Sequence, residues 1–146
     1  MNTSPKKILI VDNEVHIRIL LAQALYSLAK EGVQLLLAEN GVEALNLLDR
    51  EQPDLVYLDL MMRGLYSFDI CRLIKSDYKL KNTYIVILSA HSQSVDKQMG
   101  SISGADEYIV KPFKPLIVAE RARQILGMVK PRAIKEWFEP PTGITP

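Results

Sequence analysis

Four polar side chains stand at the ends of short apolar runs: Asp12 after Ile8 to Val11, Asp59 after Leu55 to Leu58, Ser89 after Tyr84 to Leu88, and Lys111 after Tyr108 to Val110. Runs of this length, rich in branched residues, read as buried strands. In an open parallel α/β sheet the carboxyl ends of the strands share one edge, and ligands bind in the crevice there. Two carboxylates, a hydroxyl and an ammonium would therefore converge on one small site, a mixture suited to phosphoryl chemistry with a divalent metal.

Right-handed crossovers can place the strands of Asp12 and Asp59 side by side. Their carboxylates would then repel, and a hard cation such as Mg²⁺ would relieve that repulsion with oxygen ligands while keeping several waters. Beside such a metal, Asp59 is the better nucleophile and would form an aspartyl phosphate. Lys111 would neutralise the oxygens of the transferred group, and the Ser89 hydroxyl would donate a hydrogen bond to one of them. Taken singly, each residue has a plainer reading: an Asp as turn former, Ser89 as a local cap, Lys111 as a solvated strand end. Their joint placement is what argues for a site.

The positioning elements follow from the pattern. Strands alternate with helical periodicity throughout, which implies βαβ units around a doubly wound parallel sheet. Strands are expected at about Lys7 to Val11, Val33 to Ala38, Leu55 to Leu58, Tyr84 to Leu88, and after the turn Gly104-Ala105-Asp106. Val15, Ile19, Ala22 and Tyr26, widened by Leu20 and Leu21, predict the inner stripe of a first helix ended by Gly32. Asn40 is the expected N-cap of a second helix over Val42 to Leu48, stopped before Pro53. Phe68, Cys71, Ile74 and Tyr78 give the third its inner face; the fourth, about Ser94 to Ser101, is polar and weakly patterned. The fifth starts near Pro115, suited to a first helical turn, and runs to about Val129.

A chain of 146 residues with 48% hydrophobic content suits one domain with a real core. Its 18 basic and 17 acidic residues leave a charge near +1, so nothing global draws it to nucleic acid or anionic lipid, and DNA binding is expected outside this chain. Cys71 is the only cysteine, which excludes an internal disulfide, and CxxC and HExxH spacings are absent. No apolar run approaches the ~20 residues that span a bilayer. The expected setting is a soluble protein in a reducing cytoplasm.

ILIVDNE at the first strand end, PDLVYLDLMM around Asp59, IVILSA at the fourth strand end and GADEYIVKPF around Lys111 resemble the receiver domain of bacterial two-component response regulators. The likeness runs from about Lys6 to Gly127. It implies a single flavodoxin-like sheet of order 2-1-3-4-5 with five helices, with Asp59 as phosphoacceptor and a histidine kinase or histidine phosphotransfer protein as donor. It further implies that Asp12, Asp59 and the backbone carbonyl of Met61 hold Mg²⁺, that Lys111 pairs with the phosphoryl group, and that Ser89 moves to contact it while Tyr108 rotates inward. Signal would leave through helix four, strand five and helix five. By the same resemblance the Lys111–Pro112 peptide is expected to be cis. Such a domain is no dedicated enzyme; it catalyses its own phosphorylation and slow dephosphorylation.

The chain also departs from that pattern. Where the family carries a second acid it has Asn13, whose amide oxygen offers a weakened or indirect metal contact, and Glu14 compensates only in part. The loop after Asp59 has Arg63, Tyr66 and Ser67 where a proline and a small flexible residue are usual. Met61 and His91 hold the positions that tune acyl phosphate hydrolysis; His91 reads first as a solvated loop residue, and His16 as exposed.

Residues 1–129 are expected to form the receiver and 130–146 a proline-containing tail or linker, either the extension of a stand-alone receiver or the start of a path to an output domain. Trp137 and Phe138 there would be costly to leave wet, so the tail folds back on the domain or docks on another chain, a homodimer partner or a downstream output protein among them. A flavin or nucleotide carrier of the same strand order would need a phosphate cradle where Asp12, Asn13 and Glu14 stand. An aspartate phosphatase would need an acid at Met61. The remaining alternative is a degenerate receiver that binds partners without phosphorylation.

Overall fold

The structure is a computed structural model and describes residues 4–60, 67–77, 79–90 and 104–128. In chain order it contains β1 (Lys7–Val11), α1 (Val15–Ala24), α2 (Tyr26–Lys30), β2 (Gln34–Ala38), α3 (Gly41–Glu51), β3 (Leu55–Asp59), α4 (Ser67–Ser76), β4 (Tyr84–Ser89), β5 (Glu107–Val110) and α5 (Pro115–Ile125). The strands form one sheet in the order β2-β1-β3-β4-β5, every pair parallel. This is the expected flavodoxin-like, doubly wound fold. The helix expected over 94–101, the residues Met61, Tyr78 and His91, and the tail with Trp137 and Phe138 lie outside the described residues.

The three inner strands read as continuous apolar runs because both of their faces are covered. Leu9, Val11, Val56, Leu58, Ile85 and Ile87 face one way and pack with Ala44 and Leu48 of α3 and Ile70, Cys71 and Ile74 of α4. The alternate residues Ile8, Ile10, Leu55, Tyr57, Val86 and Leu88 face the other way, against Leu21 of α1, Leu28 of α2 and Val118 and Ala122 of α5. A buried side chain of this size contributes about 1.5–3 kcal/mol relative to exposure, so the sheet is the rigid part on which any edge group is mounted.

Local signals explain most element ends. The Asn40 side chain accepts from the Glu43 N–H at 2.9 Å, capping α3 as expected. Gly32 sits at φ 103°, open to glycine at little cost, and the Val33 N–H donates back to the Leu28 carbonyl at 3.1 Å, so the helical stretch stops there. The Lys111–Pro112 peptide is cis, as expected.

The first helix differs from expectation in two ways. It is broken at Leu25, whose ψ of 5° lies off the helical value, into α1 and the short α2. Its buried stripe is Leu21, Leu25 and Leu28, with Ile17 packed against them, while Val15, Ile19 and Tyr26 of the expected stripe are exposed. The segment carries apolar residues at so many positions that two stripes satisfy a 3.6-residue period, and packing on Ile8 and Ile10 selects the one with three leucines. Three strand boundaries also move: β2 begins at Gln34, and β3 and β4 each run one residue further, through Asp59 and Ser89.

Candidate functional site

Those extra ladder residues fix the site. Asp59 pairs in register with Leu88, and Ser89 with Val110. The Lys111 N–H donates to the Ser89 carbonyl at 2.6 Å and the Leu60 N–H to the Leu88 carbonyl at 2.8 Å, so hydrogen bonding continues past both strand ends. Asp12, one residue beyond β1, donates its N–H to the Ala38 carbonyl at 3.1 Å. Four side chains from across the sequence thereby meet one sheet edge.

There Lys111 Nζ donates to Asp12 Oδ2 and to Asp59 Oδ1, each at 3.2 Å. The ammonium thus bridges two buried carboxylates, Asp12 at 0% and Asp59 at 3% exposure, from residues 99 and 52 positions away. Ser89 is fully buried on the neighbouring strand end. Tyr108 lies on β5 in register with Ile87 and packs against the α3/α4 side of the sheet. Asn13 is exposed beside Asp12, and His16, also exposed, pairs with Glu14.

Two holding contacts are visible only in three dimensions. The Ser67 hydroxyl, buried at the start of α4, donates to the Asp59 main-chain carbonyl. The Arg18 guanidinium donates to the Asp12 carbonyl at 2.7 Å. No local pattern marks Arg18, and Ser67 is marked in the sequence only as a departure in the loop after Asp59; each is drawn in because a helix returns to the strand end that precedes it.

The electrostatics are those of an under-neutralised pair. Burial raises the Asp12 pKa above the usual carboxylate value; the Glu14 N–H on Oδ1 at 2.9 Å opposes this, Asp59 adds to it, and Lys111 offsets it in part. Burial alone would lower the Lys111 pKa, yet Asp59 and Asp12 together raise it, so it remains cationic. An acid whose folded pKa is raised contributes most below its unfolded pKa, and that contribution is lost as pH rises through the folded value. Metal-free protein is accordingly expected to lose stability as pH climbs from near 3.8 through the raised Asp12 value. Asp12→Asn should raise the neutral-pH urea midpoint and flatten this dependence. A variant less stable than the parent at pH 7 would show that Asp12 is worth more charged than it costs.

Oxygen donors on opposed carboxylates suit a hard cation. Among the described residues, however, no three His, Cys, Asp or Glu side chains are grouped closely enough to hold an ion. Asn13, exposed next to Asp12, carries an amide oxygen and no charge. The residues fit a divalent cation, with one charge fewer than a triad of acids would supply.

The chain thus sets an acid pair bridged by lysine at the carboxyl edge of a doubly wound parallel sheet. Residues 8–123 match the response regulator receiver domain, and the chain belongs to that family. It is 37% identical over 123 residues to the DNA-binding response regulator MtrA of Mycobacterium tuberculosis, covering 84% of this chain and 51% of that protein. The chain thus spans about half the length of the curated relatives it matches. Among solved structures it is similar to the receiver domain of a DNA-binding response regulator from Colwellia psychrerythraea, with a TM-score of 0.78, 27% identity, and coverage of 84% of this chain and 98% of that one. The BeF3-activated receiver domain of DrrB from Thermotoga maritima gives a TM-score of 0.75 at 29% identity, covering 85% of this chain and 99% of that one. No described helix is long and apolar enough to cross a membrane.

Proposed function

We propose that this chain is a phosphorylation-controlled switch that accepts a phosphoryl group on Asp59 from a histidine kinase or histidine phosphotransfer protein. The observation that carries this reading is the Lys111 ammonium held 3.2 Å from both Asp12 and Asp59 at the buried sheet edge. A carboxylate oxygen of Asp59 attacks phosphorus as the bond to the donor imidazole breaks, leaving the electron pair on the ring nitrogen. Lys111 balances charge on the transferred oxygens, the Ser89 hydroxyl donates to one of them, and Asp12 fixes Lys111 from the far side. Asp12, Asp59, the Met61 carbonyl and, weakly or indirectly, Asn13 would hold Mg²⁺, which would supply further positive charge. Ser67, through the Asp59 carbonyl, keeps the attacking residue in place.

The switch reading assigns Ser89 and Tyr108 to the response and Met61 and His91 to the lifetime of the acyl phosphate. Signal passes through β5 and α5, together with the fourth helix that the sequence predicts at about Ser94 to Ser101, to a homodimer partner or an output protein. MtrA is called DNA-binding; in this reading DNA contact belongs to segments other than the receiver. The known BeF3-activated form of DrrB favours an activatable receiver over a phosphorylation-independent one, as does the presence here of Asp59, Ser89 and Lys111 together. Intact mass after incubation with Mg²⁺ and acetyl phosphate tests the proposal. A gain of one phosphoryl group that requires the metal supports it; no gain under any divalent metal overturns it.

The receiver is assigned to residues 1–129. In support, Leu126 and Met128 still pack against the core, and the Met128 N–H donates to the Arg123 carbonyl at 2.8 Å. Truncation after Lys130 should leave phosphoryl uptake unchanged and shift the unfolding free energy by less than about 1 kcal/mol. Loss of folding would place the tail within the core.

A further inference from the structure

The outer face of α1 and the first residue of α2 form one wall of an open groove. Ile19, Ala22, Gln23 and Tyr26 line it together with Leu37 of the edge strand β2, enclosing about 410 Å³. Ile19 is 49% exposed, Tyr26 62% and Leu37 48%. Gln23 is the single polar residue of the five, so the groove is an apolar face that water covers poorly. Among the described residues nothing fills it.

The end of α5 lies beside α2. The Arg123 guanidinium clasps Glu31 and Ser27, which places the last turn of α5 beside α2, the helix that Tyr26 begins. Met128 packs in the same cluster as Leu28. Gly127, at φ 69°, turns the chain there in a conformation that few side chains adopt. The sequence then continues for eighteen residues, carrying Ile134, Trp137 and Phe138 at i, i+3 and i+4. Trp137 lies nine positions beyond Met128, a reach of about 30 Å when extended, whereas the seven steps from Ile19 in α1 to Tyr26 at the start of α2 span roughly 10 Å at a helical rise. The tail starts beside α2, is long enough to reach across it to the groove, and carries the apolar spacing of a short amphipathic segment laid in a groove.

We propose that the tail docks in cis on this groove, with Trp137 and Phe138 seated against Ile19, Ala22, Tyr26 and Leu37. The face is then covered by the chain's own C-terminal segment, and a partner that binds there must displace it. The inference stands apart from the phosphorylation reading, since none of its residues touches the sheet-edge site.

Trp137 is the only tryptophan in the chain and reports directly. In the full chain its emission should be blue-shifted, and its acrylamide quenching severalfold weaker than that of N-acetyltryptophanamide, both independent of protein concentration and accompanied by a monomer mass. Tyr26→Ser and, separately, Ile19→Ser should each raise the quenching severalfold while leaving the far-UV circular dichroism unchanged, both residues being exposed. Val42→Ser, on the exposed side of α3, should change nothing. Quenching in the parent equal to that of the free fluorophore overturns the proposal, as does shielding unaffected by both groove variants. Shielding that vanishes on dilution together with a dimer mass also overturns it, giving the groove to a second copy instead.

Discussion

Asp59→Asn is expected to abolish Mg²⁺-dependent phosphoryl uptake while leaving the fold intact. The change keeps the shape of a side chain that sits at 3% exposure beside Lys111, but it replaces a carboxylate with an amide of little nucleophilicity. It also removes one of two like charges that share a single ammonium, so the variant should melt no lower than the parent. Intact mass over a time course with acetyl phosphate reads the first effect and thermal unfolding the second. If the variant is labelled as well as the parent, the nucleophile is another residue and the sheet-edge assignment fails. If it is unlabelled but also unfolded, Asp59 is a structural residue, and Asp59→Glu, which retains the acid, must then be labelled for the nucleophile assignment to stand.

The second large effect is on metal affinity. Asn13→Asp adds a carboxylate to an exposed position next to Asp12 and should tighten Mg²⁺ binding about tenfold or more. Attraction between a carboxylate and a divalent cation at a partly solvated site exceeds about 1 kcal/mol, and 1.4 kcal/mol is a factor of ten. The same added charge should lower stability without metal, because Asp12 already ionises reluctantly there. Titration calorimetry gives the affinity, and unfolding with and without Mg²⁺ gives the opposed stability changes through linkage. Unchanged affinity in the variant would mean that position 13 does not face the ion.

Both predictions could be framed from the sequence because the strand ends are written locally. A buried parallel strand must be apolar on both faces, so its extent is a run of branched residues, and the first polar residue after it, Asp12, Asp59 or Ser89, marks the carboxyl edge. Caps are equally local: Asn40 and Gly32 act through hydrogen bonds and a backbone angle within a few residues of themselves. Sheet order followed from the family likeness, and the strand pairings agree with it.

Tertiary structure alone decided the rest, for reasons of packing and distance. Two apolar stripes compete on α1, and only contact with Ile8 and Ile10 buries Leu21, Leu25 and Leu28 and leaves Ile19 and Tyr26 outside. Ser67 and Arg18 carry no signature of a site, since each acts by reaching a main-chain carbonyl on a different element. The 3.2 Å approach of Lys111 to Asp12 spans 99 residues of sequence. The residue types were in the chain from the start; the field they share exists only once β5 is laid beside β4 and the half-buried ammonium is held between two acids.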